Sequence, residues 1–487
     1  MEIVHVASEV APFAKTGGLA DVVGALPAAL ARAGRQVTVI MPGYRGALAV
    51  ANDALPSGAP IDLPTPVGTY RLEPLACRRD GVEILLLRCD ELFDRAGLYG
   101  IRGRDYSDNA LRFAIFSRAA AAIVRLSPRR PDVVHAHDWQ AGLAVALVAT
   151  ARPRPHRPRT VFTIHNLAYQ GVYDGRIFPV TGLPEEAYTV GGVEYYGDVG
   201  YLKAGLVYAD ALTTVSPSYS REIQTPELGR GLDGVLRQRA KLLRGIVNGI
   251  DAGSWNPATD AALPGRFHRD DLGARREVKA ALLAELGLDA DREAPLIAMV
   301  ARLDPQKGFD LVLEAAPDLV AAGARIAILG TGDPSLEHRL SELSRRFPGK
   351  VAARLAFDDG LARRFYGGSD LSLVPSRFEP CGLNQLYSMR YGSVPIVRRT
   401  GGLADTVEDA DGAPDRGTGF LFGPPTSAAL LEACRRALQA FADKARFAAI
   451  QRRGMSRDDS WDVPAREYLK LYEELAAGEA RGSSSAA

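Results

Sequence analysis

Two copies of one short motif stand out in this chain because their residue types suit the binding of an anion. The six residues Thr16–Asp21 recur unchanged as Thr400–Asp405, and a cation, Lys15 or Arg399, directly precedes each copy. Each copy follows a predicted strand and opens a predicted helix, where a glycine pair lets backbone N–H groups approach a ligand and the helix dipole favours negative charge. The repeat predicts two anion-binding turns. Either turn alone is equally typical of an ordinary strand-to-helix connection.

A pair of cations lies in the later part of the chain. Arg302 and Lys307 are five residues apart on a predicted loop before a helix, and this spacing suits a diphosphate better than a carboxylate. Gly330-Thr-Gly332 follows the next predicted strand and matches part of a nucleotide-binding loop, without its third glycine. These residues predict a nucleotide-diphosphate site, with solvated surface cations as the alternative.

A carboxylate and a glycine share the segment Pro375–Gln385, which joins a predicted strand to a helix. Glu379 can accept hydrogen bonds from ligand hydroxyls, and the backbone N–H groups of Gly382 and Leu383 can donate to the same ligand. A glutamate that only caps the helix is the alternative. Cys381 is not expected to be a nucleophile, because no histidine is near in sequence and a neighbouring carboxylate disfavours the thiolate.

Histidines and an aspartate follow predicted strands in the first half. His135 and His137 alternate on one strand, which favours hydrogen-bonding groups over a metal pair because no further ligand recurs at a metal-binding spacing. Asp138 and His165 each stand at the carboxyl end of a strand, where open α/β sheets bind their ligands. We therefore predict a ligand site at this edge and no metal.

The elements that must position these residues alternate between short β-branched runs and longer helix-compatible segments. In the first half, strands are predicted over Ile3–Ala7, Gln36–Met41, Val82–Arg88, Asp132–His137, Thr160–His165, Ala211–Val215 and Arg244–Val247. In the second half, they are predicted over Leu296–Ala301, Arg325–Leu329, Val351–Phe357, Asp370–Val374 and Val394–Val397. This alternation predicts an α/β fold of two doubly wound, Rossmann-like domains that face each other across a deep cleft.

The polar stretch 251–273 separates the two series, and the predicted domains span 1–255 and 256–458. A helix follows over 459–478, for which packing on the second domain and a return to the first are both open. The small polar residues of 479–487 predict a disordered tail.

Length and composition support this organisation. The 487 residues exceed one domain, and 59 basic residues against 58 acidic ones exclude a broad basic surface for nucleic acid or an anionic membrane. Four cysteines without a Cys-x-x-Cys spacing and an N-terminus without a signal-peptide pattern predict a cytoplasmic protein. Glycine is in excess, at 49 residues.

Together these residues resemble the bacterial glycogen synthases, which are ADP-glucose-dependent retaining glycosyltransferases similar to plant starch synthases. The resemblance covers nearly the whole chain and rests on Ser8-Glu9, Lys15-Thr-Gly-Gly-Leu19, His135-Ala-His-Asp138-Trp139, His165-Asn-Leu-Ala-Tyr-Gln-Gly171, Val215-Ser-Pro-Ser-Tyr219, Val247-Asn-Gly-Ile-Asp251, Trp255-Asn-Pro257, Gln306-Lys-Gly308, Ser376-Arg-Phe-Glu-Pro-Cys-Gly-Leu383 and Arg399-Thr-Gly-Gly-Leu403. It implies a GT-B fold and transfer of glucose from ADP-glucose to the non-reducing end of glycogen or another α-1,4-glucan. It also implies that configuration is retained without a metal or another cofactor. Retention can follow a covalent double displacement or a front-face attack, and we expect front-face attack because the sequence shows no obvious nucleophile.

The resemblance also implies a role for each matching residue. The implied catalytic residues are Asp138, His165, Arg302, Lys307 and Glu379. The implied donor-binding residues are Lys15, Gly17, Gly18, Asn248, Gly330, Gly332, Phe357, Cys381, Gly382, Leu383, Thr400 and Gly401. The implied acceptor-binding residues are Asp21, Tyr99 and Trp139. Arg302 and Lys307 would neutralise the departing diphosphate, and the backbone carbonyl of His165 would steady charge at the anomeric carbon.

Three departures from the family pattern leave alternatives open. Asn384 replaces the usual threonine, Ala356-Phe357 replaces the usual Gly-Tyr, and Pro305 precedes Gln306. UDP-glucose as donor, or another acceptor in a reaction that forms maltose 1-phosphate, are the alternatives within this enzyme class. A dinucleotide-dependent oxidoreductase lacks its full glycine motif here, and a silent glucan-binding protein would have lost the cations and the carboxylate.

Overall fold

The computed structural model describes residues 1–101, 103–151 and 157–478, which divide into two compact units. Unit 1 comprises Met1–Gly249 and the C-terminal segment from Trp461, and unit 2 comprises Ile250–Ser460. The divisions lie near, but not at, the predicted 255/256 and 458/459. Ile250 forms a bridge with Ser460, which binds both connecting segments to unit 2. The predicted tail, 479–487, lies outside the described residues.

Among its described residues, unit 1 has a ten-stranded sheet, a three-stranded sheet and a two-stranded sheet. Its strands are β1 (Glu2–Val6), β2 (Gln36–Pro42), β3 (Leu55–Pro56), β4 (Ile61–Thr65), β5 (Gly68–Arg79), β6 (Val82–Arg88), β7 (Gly100–Ile101), β8 (Arg104–Asp105), β9 (Val133–His137), β10 (Arg159–Ile164), β11 (Val172–Asp174), β12 (Glu194–Tyr195), β13 (Asp198–Gly200), β14 (Ala211–Thr214) and β15 (Leu243–Gly245). Its helices up to the division are α1 (Gly18–Arg32), α2 (Arg45–Val50), α3 (Asp90–Phe93), α4 (Asn109–Leu126), α5 (Asp138–Thr150), α6 (Phe178–Thr181), α7 (Tyr201–Tyr208), α8 (Pro217–Glu222) and α9 (Asp233–Gln238).

The large sheet runs in the order β15-β14-β10-β9-β1-β2-β6-β5-β3. The strands from β15 to β6 are parallel, with the buried, nearly continuous apolar runs that such strands require. The antiparallel edge of β5 and β3 was missed from the sequence. Asp80 and Gly81 have φ of 49° and 79°, as the two-residue turn between β5 and β6 requires, and Asp-Gly is a recognisable hairpin signal.

Unit 2 contains a smaller sheet. Its strands are β16 (Leu296–Val300), β17 (Arg325–Leu329), β18 (Val351–Arg354), β19 (Leu371–Val374), β20 (Val394–Arg398) and β21 (Phe420–Phe422). Its helices are α10 (Arg275–Leu286), α11 (Phe309–Ala321), α12 (Pro334–Arg346), α13 (Asp359–Gly368), α14 (Asn384–Arg390), α15 (Gly401–Thr406), α16 (Ser427–Ala442) and α17 (Lys444–Met455).

The strands of unit 2 are all parallel, in the order β18-β17-β16-β19-β20-β21. Numbered within the unit, this is 3-2-1-4-5-6, the strand order of a Rossmann fold, whose ligands lie beyond the carboxyl ends of the strands. β21 was missed because it is only three residues long. The strand predicted to reach Phe357 ends at Arg354.

The last helix, α18 (Asp462–Ala477), belongs to unit 1. Tyr468 and Tyr472 are fully buried in the core of that unit. Arg32 forms an ion pair with Asp462 at 3.0 Å. Of the two packing arrangements that the sequence left open, the return to the first unit is the one observed. No helix of the described residues is long and apolar enough to cross a membrane.

Candidate active site

The cations and carboxylate predicted in unit 2 meet at the carboxyl edge of its sheet. Lys307, in the loop after β16, places its Nζ 2.7 Å from Oε2 of Glu379, in the loop after β19. The hydroxyl of Ser376 donates to the same oxygen at 2.8 Å. Glu379 is 6% exposed, and the predicted donor-binding residues Cys381 and Thr400 are also buried. The structure thus brings a largely buried ion pair to the edge where a Rossmann fold binds ligands.

Glycines set how closely the neighbouring loops approach. A Cβ at Gly308 would lie 2.3 Å from the carbonyl oxygen of Pro375, and one at Gly401 would lie 1.9 Å from that of Glu379. Both glycines have positive φ, 74° and 44°. The N–H of Gly402 donates to the carbonyl of Glu379 at 3.1 Å. The second copy of the repeated motif therefore holds the Glu379 segment in place, and the amide of Gly402 is not free for an anion.

The partial nucleotide loop has a similar explanation. A Cβ at Gly330 would lie 1.9 Å from the carbonyl oxygen of Ala301, and one at Gly332 would lie 2.3 Å from that of Leu303. Arg302 stands between these two contacts in sequence. The glycines let the loop after β17 lie against the backbone that carries Arg302.

Other predicted donor-side groups lie on the loops of the same unit. The side chain of Arg302 is 49% exposed, with its Nε 4.0 Å from Oδ2 of Asp304. The N–H groups of Gly382 and Leu383 donate to no acceptor among the described residues. Phe357 lies beyond the end of β18 and is 81% exposed, so its ring is open to stacking. Unit 2 thus offers a cation, two backbone donors and an aromatic face.

In unit 1, a buried carboxylate organises the first copy of the motif. Oε2 of Glu9 accepts the N–H of Thr16 at 2.5 Å and that of Gly17 at 3.3 Å. Its Oε1 accepts the hydroxyl of Tyr99 at 2.7 Å, and Ser8 lies 2.8 Å from that hydroxyl. The amide of Gly17, which we expected to be free for a ligand, is therefore occupied. Sequence reasoning assigned Glu9 no role, although a glutamate just after a buried strand was a signal.

Beside this carboxylate, the cation of the motif is paired at the surface. Nζ of Lys15 lies 2.7 Å from Oδ1 of Asp21, and both side chains are partly exposed. Helix α1 begins at Gly18, and a Cβ at Gly17 would meet no described atom within 4 Å. In this copy, open space adjoins Gly17.

Asp138 and His165 are brought together from adjacent strands. Asp138 follows β9 with a φ of 55°, and its Oδ1 accepts the backbone N–H of His165 at 2.7 Å. Burial raises the pKa of the Asp138 carboxyl to about 7. Burial lowers the pKa of the His165 imidazole to about 3, so the ring is neutral at physiological pH. The carboxyl therefore fixes the backbone at the residue predicted to face the anomeric carbon.

Two further predicted residues of unit 1 are buried. Trp139 is 9% exposed, with its ring 5.0 Å from that of Phe113 and 5.8 Å from that of Tyr173. This ring is part of the core, so its position does not support the predicted contact with an acceptor. Asn248 is 7% exposed, and its Oδ1 has no hydrogen-bond partner among the described residues.

Three buried histidines of unit 1 lie close together. Ring nitrogens of His5, His135 and His137 lie within 4.8 Å of one another. However, both nitrogens of His135 and both of His137 have hydrogen-bond partners, so a metal would have to displace them. The arrangement fits the hydrogen-bonding role predicted for the pair. The sequence did not reveal His5 as a third member.

Comparisons with known proteins agree with this geometry. Residues 2–238 match the family described as "Starch synthase catalytic domain", and residues 287–453 match "Glycosyl transferases group 1". The chain is 48% identical to a glycogen synthase of Anaeromyxobacter dehalogenans, over 98% of this chain and 100% of that one. It is 45% identical to a glycogen synthase of Opitutus terrae, over 97% and 99% of the two chains.

Solved structures show the same similarity. The catalytic domain of starch synthase IV from Arabidopsis thaliana, bound to ADP and acarbose, has a TM-score of 0.90 at 33% identity. That match covers 98% of this chain and 99% of the other. Sucrose-phosphate synthase from Thermosynechococcus elongatus shares the fold, with a TM-score of 0.61 at 18% identity. With two Rossmann-like units of the GT-B class and nearly half of its residues in common with named relatives, the chain belongs to the glycogen synthase family of glycosyltransferases.

Proposed function

We propose that this enzyme transfers glucose from ADP-glucose to the non-reducing end of glycogen or another α-1,4-glucan, with retention of configuration. The observation that carries the proposal is the largely buried pair of Lys307 and Glu379 at the carboxyl edge of the sheet of unit 2, where Rossmann folds bind ligands. A lysine can form an ion pair with a diphosphate, and a carboxylate beside it can accept hydrogen bonds from sugar hydroxyls. One site therefore contains a group for each half of a nucleotide sugar.

Unit 2 supplies the donor contacts. As the bond from the anomeric carbon to the diphosphate breaks, negative charge grows on the leaving oxygen, and Lys307 and Arg302 stabilise it. The amides of Gly382 and Leu383, with the carboxylate of Glu379, hold the transferred glucose. The exposed ring of Phe357 stacks on the base. Proper placement of these groups before the reaction is what makes their charge effective.

Unit 1 supplies groups for the reacting centre and the acceptor. The backbone carbonyl of His165 steadies positive charge on the anomeric carbon, and Asp138 fixes that stretch of backbone. Tyr99 and Asp21 are the proposed acceptor contacts. In the front-face route, the acceptor oxygen bonds to the anomeric carbon on the face that the diphosphate leaves. The acceptor proton passes to the leaving phosphate oxygen, which needs no protein nucleophile.

The choice of ADP-glucose over UDP-glucose rests on family membership and on the ADP bound in the starch synthase IV structure. Phe357 and Asn384 replace residues usual in the family pattern, so UDP-glucose remains the competing donor. The cytoplasmic location and the absence of a metal stay predictions from the sequence.

An incorporation assay tests the proposal. Purified protein is incubated with glycogen and labelled ADP-glucose or UDP-glucose, with and without EDTA, and a parallel reaction offers glucose 1-phosphate as acceptor. We expect label in glycogen from ADP-glucose, unchanged by EDTA. Incorporation only from UDP-glucose, or only into maltose 1-phosphate, would assign the alternative donor or acceptor. Loss of activity with EDTA would contradict the metal-free mechanism, and a glucosyl adduct trapped on a carboxylate would contradict front-face attack.

A further inference from the structure

Three buried imidazoles form a continuous chain inside unit 1. Nδ1 of His5 lies 3.0 Å from Nε2 of His137, and Nδ1 of His137 lies 3.0 Å from Nε2 of His165. His5 and His137 are fully buried, on the adjacent parallel strands β1 and β9. His165 follows β10, the next strand of the sheet. The chain of rings therefore runs across three strands from the core to the candidate active site.

The two ends of this chain differ. At the inner end, Nε2 of His5 is buried and has no hydrogen-bond partner among the described residues. At the outer end, Nδ1 of His165 makes no hydrogen bond to the described residues, and it is not among their enclosed unpartnered atoms. The outer nitrogen is thus the one left available to a ligand.

Burial lowers the pKa of all three rings, so each is neutral and carries one N–H. A neutral ring inside such a chain donates through one nitrogen and accepts through the other. Buried N–H groups without an acceptor are rarer than buried acceptors without a donor, so Nε2 of His5 is the bare nitrogen. His5 then donates from Nδ1 to His137, and His137 donates from Nδ1 to Nε2 of His165. The proton of His165 is left on Nδ1.

We propose that His137, supported by His5, is a positioning residue that holds His165 as the Nδ1–H tautomer, with this N–H directed to a ligand oxygen. The identity of that ligand, a donor or acceptor sugar, rests on the proposed function. The arrangement fixes an N–H donor at Nδ1 of His165. If His165 carried its proton on Nε2 instead, the protons of the chain would shift and leave an N–H at Nε2 of His5 buried without an acceptor.

The tautomer is measured directly on the resting enzyme. The chain has seven histidines, so ¹⁵N-histidine labelling yields few signals, and the His165→Asn variant identifies those of His165. We expect a protonated Nδ1 and a bare Nε2 throughout pH 5.5–8. A protonated Nε2, or a fully protonated ring in this range, would overturn the proposal. Because no substrate is involved, this result is independent of whether glucose transfer is the activity.

A variant pair separates the hydrogen bond from the space that the ring fills. His137→Leu removes the donor to His165, whereas His137→Asn has nearly the same shape as leucine and keeps an amide donor near the position of Nδ1. His135→Leu is the control, because His135 is equally buried on the same strand but has no hydrogen bond to His165.

We expect kcat to fall about tenfold in His137→Leu, the loss of one hydrogen bond, with KM nearly unchanged. His137→Asn should recover most of kcat, and His135→Leu should retain it. Equal losses in His137→Leu and His137→Asn, or in His137→Leu and His135→Leu, would show a role in packing alone and contradict the proposal. If a variant fails to fold, the tautomer of the unmodified enzyme still decides the question.

Discussion

The two ion pairs of the predicted site differ in their exposure to solvent. The Lys307–Glu379 pair is largely enclosed, whereas the Lys15–Asp21 pair is partly open to solvent. A buried ion pair contributes little net stability, because desolvation of both charges offsets their attraction. Its position at the ligand edge of unit 2 favours a role in binding over a role in folding.

Removal of the lysine tests this role. Lys307→Ala should lower kcat by about a hundredfold or more, because the leaving diphosphate loses its stabilising charge. Steady-state kinetics with ADP-glucose and glycogen measure the effect. Lys350→Ala is the control, since Lys350 forms an exposed ion pair with Asp289 in the same unit. Activity of Lys307→Ala within about twofold of the unmodified enzyme would show that the diphosphate binds elsewhere.

Buried histidines make stability depend on pH. His5 and His165 have their pKa lowered by burial to about 3, and those of His135 and His137 are also lowered. The unfolded chain binds protons on these rings below about pH 6.5 while the folded chain does not, so stability falls as pH decreases from 6.5 toward 3. The raised pKa of Asp138 acts oppositely between pH 4 and 7, but it is one group against four.

Urea denaturation between pH 4.5 and 7.5 measures this dependence. We expect the free energy of unfolding to rise with pH up to about 6.5, and to rise less steeply in His5→Phe, which removes one of the buried rings. His338→Gln is the control, because His338 is exposed on α12. An unchanged slope in His5→Phe would contradict the assignment of a neutral buried ring.

Among the elements, the two copies of the repeated motif have the same six residues but make different contacts. At the start of α15, Gly401 allows backbone to pack against the Glu379 segment. At the start of α1, the space beside Gly17 is open, and the nearby amides bond to Glu9. The first copy therefore leaves space for a ligand beside Gly17, and the second supports the backbone of Glu379, which we propose binds one.

Matched alanine substitutions distinguish these uses. Gly401→Ala places a Cβ against a carbonyl at positive φ, and should lower the free energy of unfolding by roughly 1–3 kcal/mol. Its kcat should fall too, since the Glu379 segment must shift. Gly423→Ala, with open space around its Cβ, is the control. Urea denaturation and kinetics measure both effects, and a fully stable, active Gly401→Ala would contradict the packing argument.

Gly17→Ala should leave the free energy of unfolding within about 0.5 kcal/mol of the original, because the added methyl group meets no described atom. If a ligand approaches this backbone, the KM for ADP-glucose should nevertheless rise several-fold. An unchanged KM would remove Gly17 from the proposed donor site.

At the scale of the molecule, the C-terminal helix α18 completes a unit that begins at Met1. Tyr472 in this helix contacts Nδ1 of His135 at 2.6 Å, and Tyr468 and Leu471 fill the core beside it. Each such side chain contributes about 1.5–3 kcal/mol when buried. Unit 1 therefore depends on a helix that follows the rest of the unit by more than two hundred residues in the sequence.

Truncation tests this dependence. A chain that ends at Ser460 should lose unit 1 as a stable unit, because the apolar surface under α18 is exposed, while unit 2 keeps its own core. Limited proteolysis and thermal denaturation measure the two units separately. A chain that ends at Gly478 retains α18 and is the control, with unfolding expected as in the full chain. A stable unit 1 without α18 would contradict this interpretation.

Much of the fold was predictable because it is local. The buried strands and the turns that follow them depend on apolar runs and glycines that lie side by side in the sequence. The edge strand β3 and the short β21 were missed because their pairing partners, more than their own residues, define them. The longer β5 was missed although the Asp80-Gly81 turn after it signals a hairpin. In the site, Lys307 and Glu379 were predicted singly, but their contact joins two loops seventy-two residues apart.

By itself, the sequence determined the two Rossmann-like halves, the family and the types of residue that carry its chemistry, because motif spacing and strand periodicity are written along the chain. Only the tertiary structure decided that Glu9 accepts amides of the first glycine turn, that Trp139 belongs to the core, and that α18 returns to unit 1. It alone placed His5, His137 and His165 in one chain of hydrogen bonds. These contacts join residues that are distant in sequence and depend on packing and burial. The pattern around one residue does not identify its distant partner.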